Sequence, residues 1–133
     1  MNPVQNILPP YPIGVHTVVS ATLVDKEGYL VKLDGDGKVL VPSDPADIVI
    51  GVVENGAVVG GNCDVRYLGG ILRVKVGASA ISAGDRVYAN TGGTALPSTG
   101  AASDIYRSVG VALADAAAGG FVAILCQPET VSV

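Results

Sequence analysis

The chain has 133 residues and a formal net charge of −4, and charged side chains make up only 15% of it. That length supports one domain with its own core. The acidic balance excludes a phosphate-binding groove, which needs clustered Lys and Arg, so no nucleic-acid partner is expected. No apolar run approaches the length of a membrane span, and the first residues lack the features of a signal peptide. We therefore expect a soluble protein that is made in the cytoplasm and has no membrane partner.

The composition also determines what the core can contain. With no Trp, one Phe and 18 Gly residues, the interior must be built from Val, Ile, Leu and Ala. Because 49% of the residues are apolar, we expect another chain to cover part of the surface, in an oligomer or on a larger assembly. Cys63 and Cys126 are enough for one disulfide, but two cysteines in a reducing compartment are more often small core residues.

The N-terminal segment, residues 1–14, contains four prolines, each of which fixes φ and lacks a backbone donor. The sequence therefore predicts an extended or polyproline-like arm rather than part of a sheet. A frayed terminus is the alternative. Disordered tails seldom contain so many large apolar residues, and these favour an arm that docks on a neighbouring protein. The residues expected to make such contacts are Ile7, Leu8, Tyr11 and Ile13.

From Val15 onward, short β-type segments alternate with turn residues, and no stretch sustains a helical apolar stripe. We therefore expect residues 15–133 to form a single all-β domain, either a small barrel or a sandwich. A loop rich in Gly, Ser, Thr and Ala is expected over residues 90–103. The predicted strands cover residues 15–24, 29–33, 38–41, 48–54, 63–68, 71–76, 86–90, 109–114 and 120–126.

Part of this β pattern is an internal sequence repeat, with its two copies about 59 residues apart. The recurring elements are Gly51-Val52 as Gly110-Val111, Ala57 as Ala116, and Gly60-Gly61 as Gly119-Gly120. These five identities in a gapless alignment exceed the roughly one or two that chance gives in this composition. The sequence therefore predicts two similar β units, over about residues 28–76 and 87–127, within one fold.

The Gly69-Gly70 dipeptide predicts a two-residue hairpin that fixes the register of the flanking strands. The expected pairs are Cys63–Val76, Val65–Val74 and Tyr67–Leu72 on an apolar core side, and Asp64–Lys75 and Arg66–Arg73 on the other side. Two arginines that lie opposite each other repel mildly. They belong either to a solvated face, where Asp64 or Glu54 bridges them, or to a contact with acidic residues of another protein.

Transferring this register to the second copy exposes a difference between the copies. Val122, Ile124 and Cys126 then face the core. The outward positions that are charged in the first copy become an apolar strip in the second. This strip consists of Phe121, Ala123 and Leu125. We expect another subunit or the N-terminal arm to cover it.

No motif for catalysis or ligand binding stands out. The run DGDG at 34–37 lacks the remaining ligands of a calcium loop and predicts a hairpin turn. The Gly-rich stretches lack the Lys-Ser/Thr pair of a phosphate loop. His16, the single histidine, is near Ser20 and Thr22, but no nucleophile elbow accompanies them. We therefore predict no catalytic residue, no cofactor, no metal site and no small-molecule substrate.

Several runs of the chain resemble the capsid cement, or head decoration, proteins of tailed bacteriophages. They are GVVENGA at 51–57, GGILRVKV at 69–76, AISAGDRV at 80–87, VGVA at 109–112 and GGFVAIL at 119–125, and the resemblance extends over residues 18–127. It implies a β-rich protein with a barrel or β-tulip-like core on the outer face of an icosahedral head. It also implies a virion location, homotrimers at three-fold positions and the major capsid protein as partner.

The sequence therefore predicts a structural, non-enzymatic protein that works by adhesion. The arm residues and the pair Arg66 and Arg73 would contact the shell, and the strip of Phe121, Ala123 and Leu125 would join subunits. An alternative is a receptor- or glycan-binding surface module of a phage particle, although scarce aromatic residues disfavour it. An enzyme is a further alternative, for which no residue argues.

Overall fold

The computed structural model describes residues 15–97 and 105–132, so the predicted arm over residues 1–14 lies outside the described residues. Ten strands and no helix are found in this part of the chain. The all-β prediction is confirmed. The strands are β1 (Val15–Val18), β2 (Leu30–Leu33), β3 (Val39–Leu40), β4 (Gly51–Asn55), β5 (Asn62–Tyr67), β6 (Ile71–Lys75), β7 (Arg86–Ala89), β8 (Ala95–Leu96), β9 (Ile105–Ala112) and β10 (Phe121–Ser132).

The strands form two five-stranded antiparallel sheets with the same internal order. The first sheet has the order β1-β5-β4-β2-β3, and the second has β6-β10-β9-β7-β8. Adding five to each strand number of the first sheet therefore gives the second. We call β1–β5 with their connections the first unit (residues 15–70) and β6–β10 with theirs the second unit (residues 71–132). Two sheets of the same order agree with an all-β fold of two similar units, but β6 (Ile71–Lys75), which the sequence placed in a first unit over about residues 28–76, belongs to the second sheet.

The pairing registers of the two units also correspond. Gly51 lies opposite Tyr67 in the first sheet, and Gly110 lies opposite Cys126 in the second, which is a shift of 59 residues on both strands. The same shift relates the pairs Val52–Arg66 and Val111–Leu125, and the pairs Val53–Val65 and Ala112–Ile124. Gly51 and Gly110, which recur in the sequence repeat, therefore occupy equivalent places in the hydrogen-bond ladders of the two sheets.

The predicted Gly69-Gly70 hairpin is wrong, because β5 and β6 belong to different sheets. β5 pairs with β1 and β4, whereas β6 pairs with β10. The Leu68 N–H donates to the Ile50 carbonyl at 3.0 Å, and the Gly70 carbonyl accepts from the Cys126 N–H at 2.9 Å. The segments before and after Gly69 thus belong to separate sheets. The Gly69-Gly70 dipeptide is a crossover between the two units.

The alternation of inward and outward residues was nevertheless largely correct. Cys63 and Val65 on β5 are buried, as are Leu72, Val74 and Val76 on and after β6. Tyr67 was expected in the core and is instead exposed, because it lies opposite Gly51 at the end of β5. Each strand keeps its own period of two whichever strand it pairs with. The predicted turn at 34–37 does join a hairpin, between β2 and β3.

Two apolar clusters form the interior. The smaller one belongs to the first unit and contains Val19, Leu23, Val31, Val39, Val53, Cys63 and Val65. The larger one is the interior of the second unit, into which three residues of the first unit, Leu30, Val49 and Val52, also pack. These three side chains join the two units. Burial of their apolar area stabilises the junction by roughly 25 cal/mol per Å².

Both cysteines are free thiols, in agreement with their expected place as packing residues. Cys63 is buried in the first-unit cluster, and Cys126 packs against the larger cluster. Desolvation raises the pKa of the Cys63 thiol and also that of the Cys126 thiol. A raised pKa lowers the thiolate fraction at neutral pH, and the thiolate is the nucleophilic form of cysteine.

Candidate interaction surface

Arg66 and Arg73 do not lie on paired strands, but sheet packing still brings them to one place. Both line a groove of about 240 Å³ between the first and second sheets. The other lining residues are Val52, Glu54, Ile71 and Leu72. The groove therefore has an apolar floor and charged rims. The predicted like-charge pair is wrong as a cross-strand pair, and the two arginines meet across the junction of the units.

Arg66 has a carboxylate partner within the chain. Its guanidinium donates to the Glu54 carboxylate at 3.0 Å, and this hydrogen bond raises the pKa of Arg66. Both side chains are partly exposed, so the ion pair contributes less than about 1 kcal/mol. Next to it, the Asn55 side-chain amide donates to Asp64 at 3.0 Å. The outward face of the first sheet is thus polar at this point.

Phe121 contacts two cations on the outward face of the second sheet. The guanidinium carbon of Arg73 lies 4.3 Å from the ring centroid, and Lys75 Nζ lies 4.9 Å from it. Lys75 Nζ also donates to the Gly119 carbonyl at 2.6 Å. Gly28 approaches the ring so closely that a Cβ atom there would lie 2.6 Å from a ring carbon. The ring is therefore oriented by its surroundings, with one part left exposed.

An apolar area extends from Phe121 across the second sheet. The exposed fractions are 40% for Phe121, 39% for Leu125, 46% for Leu113 and 64% for Ile71. Leu125 lies opposite Ile71 on β6 and opposite Val111 on β9, and the Leu113 N–H donates to the Ala123 carbonyl. We call these six residues the outer apolar surface: Ile71, Val111, Leu113, Phe121, Ala123 and Leu125.

The sequence identified half of this surface. Phe121, Ala123 and Leu125 follow from the alternation in β10, and their outward direction agrees with Val122 and Ile124 being buried. Ile71 was missed because the predicted hairpin paired its strand with β5, whereas it lies opposite Leu125 on β10. Leu113 was missed although the repeat carried a signal for it, since it occupies the position of Glu54 in the first copy. A role of the strip between subunits stays a prediction, and Ile7, Leu8, Tyr11 and Ile13 lie outside the described residues.

The charged side chains that the structure describes on the strands of the second sheet have one sign. Among the described side chains of its strands, Arg73, Lys75 and Arg86 are cationic and none is a carboxylate. The chain as a whole has a net charge of −4. A cationic rim around an apolar area in an acidic protein favours contact with an apolar surface that also carries carboxylates.

Asp47 organises the loop that follows β3. Its Oδ2 accepts hydrogen bonds from Lys32 Nζ at 2.8 Å, from the Ser43 N–H at 2.9 Å and from the Asp44 N–H at 3.0 Å. The Lys32 hydrogen bond is the main reason that the pKa of Asp47 lies below its usual value. The loop so fixed presents Ile48, which is strongly exposed.

We expect Asp47→Asn to lower the free energy of unfolding by about 2 kcal/mol at pH 7, because the charged hydrogen bonds are lost. A lowered carboxyl pKa stabilises the fold above the pKa of the unfolded state, near 4, and this contribution disappears as the pH falls through the folded-state pKa. Urea unfolding at pH 7 and at pH 3 measures the difference, which should be smaller at pH 3 than at pH 7. Asp36→Asn in the exposed β2–β3 turn is the control, and equal effects of the two variants at pH 7 would contradict the prediction.

Within residues 15–97 and 105–132, no group of three His, Cys, Asp or Glu side chains is arranged to hold a metal ion. The described part of the chain also contains no helix long and apolar enough to cross a membrane. What the described surface does contain is an apolar area, a cationic rim and an arginine-lined groove. Together with the two-sheet fold, these features define a contact-forming structural protein.

Comparisons with known proteins agree with this class. A family described as phage cement protein matches residues 13–127, which is most of the chain. The chain belongs to the phage cement protein family and is therefore a structural protein of the phage capsid. The resemblance inferred from the sequence is confirmed. No match was found among curated proteins.

A solved structure with a similar fold is the head fiber N base of bacteriophage phi29. The two structures superimpose with a TM-score of 0.64 at 17% sequence identity, and the match covers 91% of this chain and 99% of the other. At that identity the likeness concerns the fold alone.

Proposed function

We propose that the protein is a decoration protein that binds the outer surface of the icosahedral head as a homotrimer and stabilises the shell. The observation that carries the proposal is the outer apolar surface with its cationic rim, on a member of the phage cement protein family. Large exposed apolar areas with polar rims mark protein–protein contact sites. The mechanism is adhesion, and it requires no catalysis, cofactor or metal ion.

In this mechanism several weak contacts act together. The arm residues and the groove with Arg66 and Arg73 contact the major capsid protein, and the strip of Phe121, Ala123 and Leu125 joins the subunits. Once one subunit of a trimer is bound, the others bind at a high effective concentration, so overall affinity exceeds that of a single contact. A trimer that links several capsid subunits would then resist the outward pressure of the packaged DNA.

Arg73 is the better placed of the two arginines to bind a capsid carboxylate. Arg66 already pairs with Glu54, so an incoming carboxylate must compete with that bond. Arg73 is stacked on Phe121, and a stacked guanidinium keeps its in-plane N–H donors available for a carboxylate. The stacking also reduces the side-chain entropy that binding would otherwise cost.

The proposal is tested by adding the purified protein to phage heads that lack it and sedimenting the heads. We expect saturable co-sedimentation of the full chain, and binding at least ten-fold weaker for a chain that begins at residue 15 and for Arg73→Glu. Lys38→Glu, which makes the same charge change in the exposed β2–β3 turn, is the control and should bind as the full chain does. Failure of the full chain to bind heads overturns the proposal. Equal binding by Arg73→Glu and Lys38→Glu overturns the role of the groove.

A further inference from the structure

The two units have equivalent folds but different surroundings. Val52, opposite Arg66 on the outward side of the first sheet, is only 2% exposed because it packs into the larger cluster of the second unit. Its equivalent in the second unit, Val111, lies opposite Leu125 and is half-buried. The second unit thus covers Val52 on the outer side of the first, whereas on the outer side of the second unit the first unit contacts part of the Phe121 ring and leaves Leu113 and Leu125 exposed.

The side chains at equivalent outer positions are charged in the first unit and apolar in the second, as expected if another surface covers the second unit. Glu54 and Arg66 form an ion pair at the edge of the inter-unit groove. Their equivalents after a shift of 59 residues are Leu113 and Leu125. A solvated charged pair at the rim of a filled junction has been replaced by two leucines, which favour burial by another surface.

The charges of the two units also differ. Residues 15–70 contain eight carboxylates and four cationic side chains, whereas residues 71–133 contain four of each. The whole net charge of −4 therefore resides in the first unit. The described strand side chains of the second sheet, by contrast, are cationic. Contact between a first unit and the outer face of a second unit brings opposite charges together.

We propose that the outer apolar surface of each copy binds the first unit of a second copy. Within one chain, β6 of the second unit contacts β4 of the first unit. The contact between copies repeats this arrangement. The equivalent of β6 in the first unit is β1, so β1 of the neighbour lies beside β9. This contact joins two different surfaces, and repeated head to tail it closes into a ring of alternating first and second units. The inference rests on the self-association in the proposed function and identifies the two surfaces that meet.

The first test recreates the ion pair of the first unit in the second. The double variant Leu113→Glu/Leu125→Arg places at the outer surface the residue types that occupy the equivalent positions 54 and 66, where this fold accommodates them. We expect it to keep the far-UV circular dichroism spectrum of the native chain and to become monomeric by light scattering. Leu33→Glu, at an exposed apolar position of β2 on the side of the first sheet away from β1, is the control and should remain oligomeric. A double variant that stays oligomeric overturns the proposal.

The second test distinguishes a head-to-tail contact from a two-fold contact. Glu54 and Arg73 line the same groove within a chain, and their equivalents across the proposed contact are Leu113 of one copy and position 16 of the next. In a Cys126→Ala background, a mixture of Leu113→Cys and His16→Cys chains should form disulfide-linked dimers, and neither variant should do so alone. Dimers of Leu113→Cys alone would show a two-fold contact and overturn the proposal.

The outcomes separate this inference from the proposed function. A full chain that is monomeric in solution and on heads overturns the ring contact and the homotrimer, but its binding to heads would still support capsid decoration. A chain beginning at residue 15 that becomes monomeric would show that the arm, not the neighbour's first unit, covers the surface. An oligomer that forms normally while binding to heads fails supports the ring and overturns capsid decoration.

Discussion

Replacing Gly110 by alanine is expected to lower the free energy of unfolding by about 3 kcal/mol, because overpacking against a backbone cannot be relieved by a side-chain movement. A Cβ atom at this position would collide with the carbonyl group of Leu125 on β10 and come within 3.1 Å of the Cys126 Cα atom. Gly51 is in the same situation against the Arg66 carbonyl on β5. Both units therefore need a glycine at the equivalent place, where two strands approach closely.

Urea unfolding followed by circular dichroism measures the effect. Gly51→Ala and Gly110→Ala should be destabilised to a similar extent, since the clash is of the same kind in both units. Gly35→Ala is the matched control, because a Cβ atom there meets open space. It should change the free energy of unfolding by less than about 0.5 kcal/mol, as surface substitutions usually do. A Gly110→Ala variant as stable as Gly35→Ala would contradict the close approach of β9 and β10.

Leu30→Ala is expected to cost about 3 kcal/mol and to weaken the junction between the units, because it leaves a cavity in the larger cluster. Leu30 is fully buried although it comes from the first unit, and its N–H donates to the Gly93 carbonyl of the second unit at 2.7 Å. The side chain therefore links the two sheets directly. Its loss should raise hydrogen exchange in both units.

Leu33→Ala provides the comparison on the same strand. Leu33 ends β2 and is exposed, so its truncation removes little buried area. Thermal unfolding of the two variants should show a clear loss for Leu30→Ala and a small one for Leu33→Ala. If hydrogen exchange rose only in the first unit of Leu30→Ala, the junction through Leu30 would not couple the units.

The fold class and the two-unit plan were accessible from the sequence because both depend on local patterns. Period-two alternation in segments such as 62–67 and 121–126 indicates strands whatever they pair with. The recurring glycines at 51 and 110 mark the same close approach in each ladder, so their spacing revealed the repeat. Strand order then follows from repetition, since the second sheet copies the first.

The crossover at Gly69-Gly70 was not accessible, for a physical reason. Two glycines permit a chain reversal, but they do not determine which strand completes the hydrogen-bond ladder. β6 pairs with β10 instead of β5, through five register pairs from Phe121–Lys75 to Leu125–Ile71. That choice depends on contacts about 50 residues apart in the chain, which local turn chemistry does not encode.

The candidate surface was predicted in part for the same reason. Phe121, Ala123 and Leu125 lie on one strand, so alternation was sufficient to find them. The neighbouring Ile71 and the groove shared by Arg66 and Arg73 depend on which sheets pack together. The support of the Phe121 ring by Gly28 joins residues of different units and has no local signal.

Electron cryo-microscopy of heads with and without the protein tests the account most directly. Reconstructions of heads that carry it should show added density on the outer face at three-fold and quasi-three-fold positions, with the second sheet of each copy against its neighbour. Those heads should also withstand higher temperature before releasing DNA. Identical reconstructions, or density confined to the tail or the interior of the head, would contradict capsid decoration.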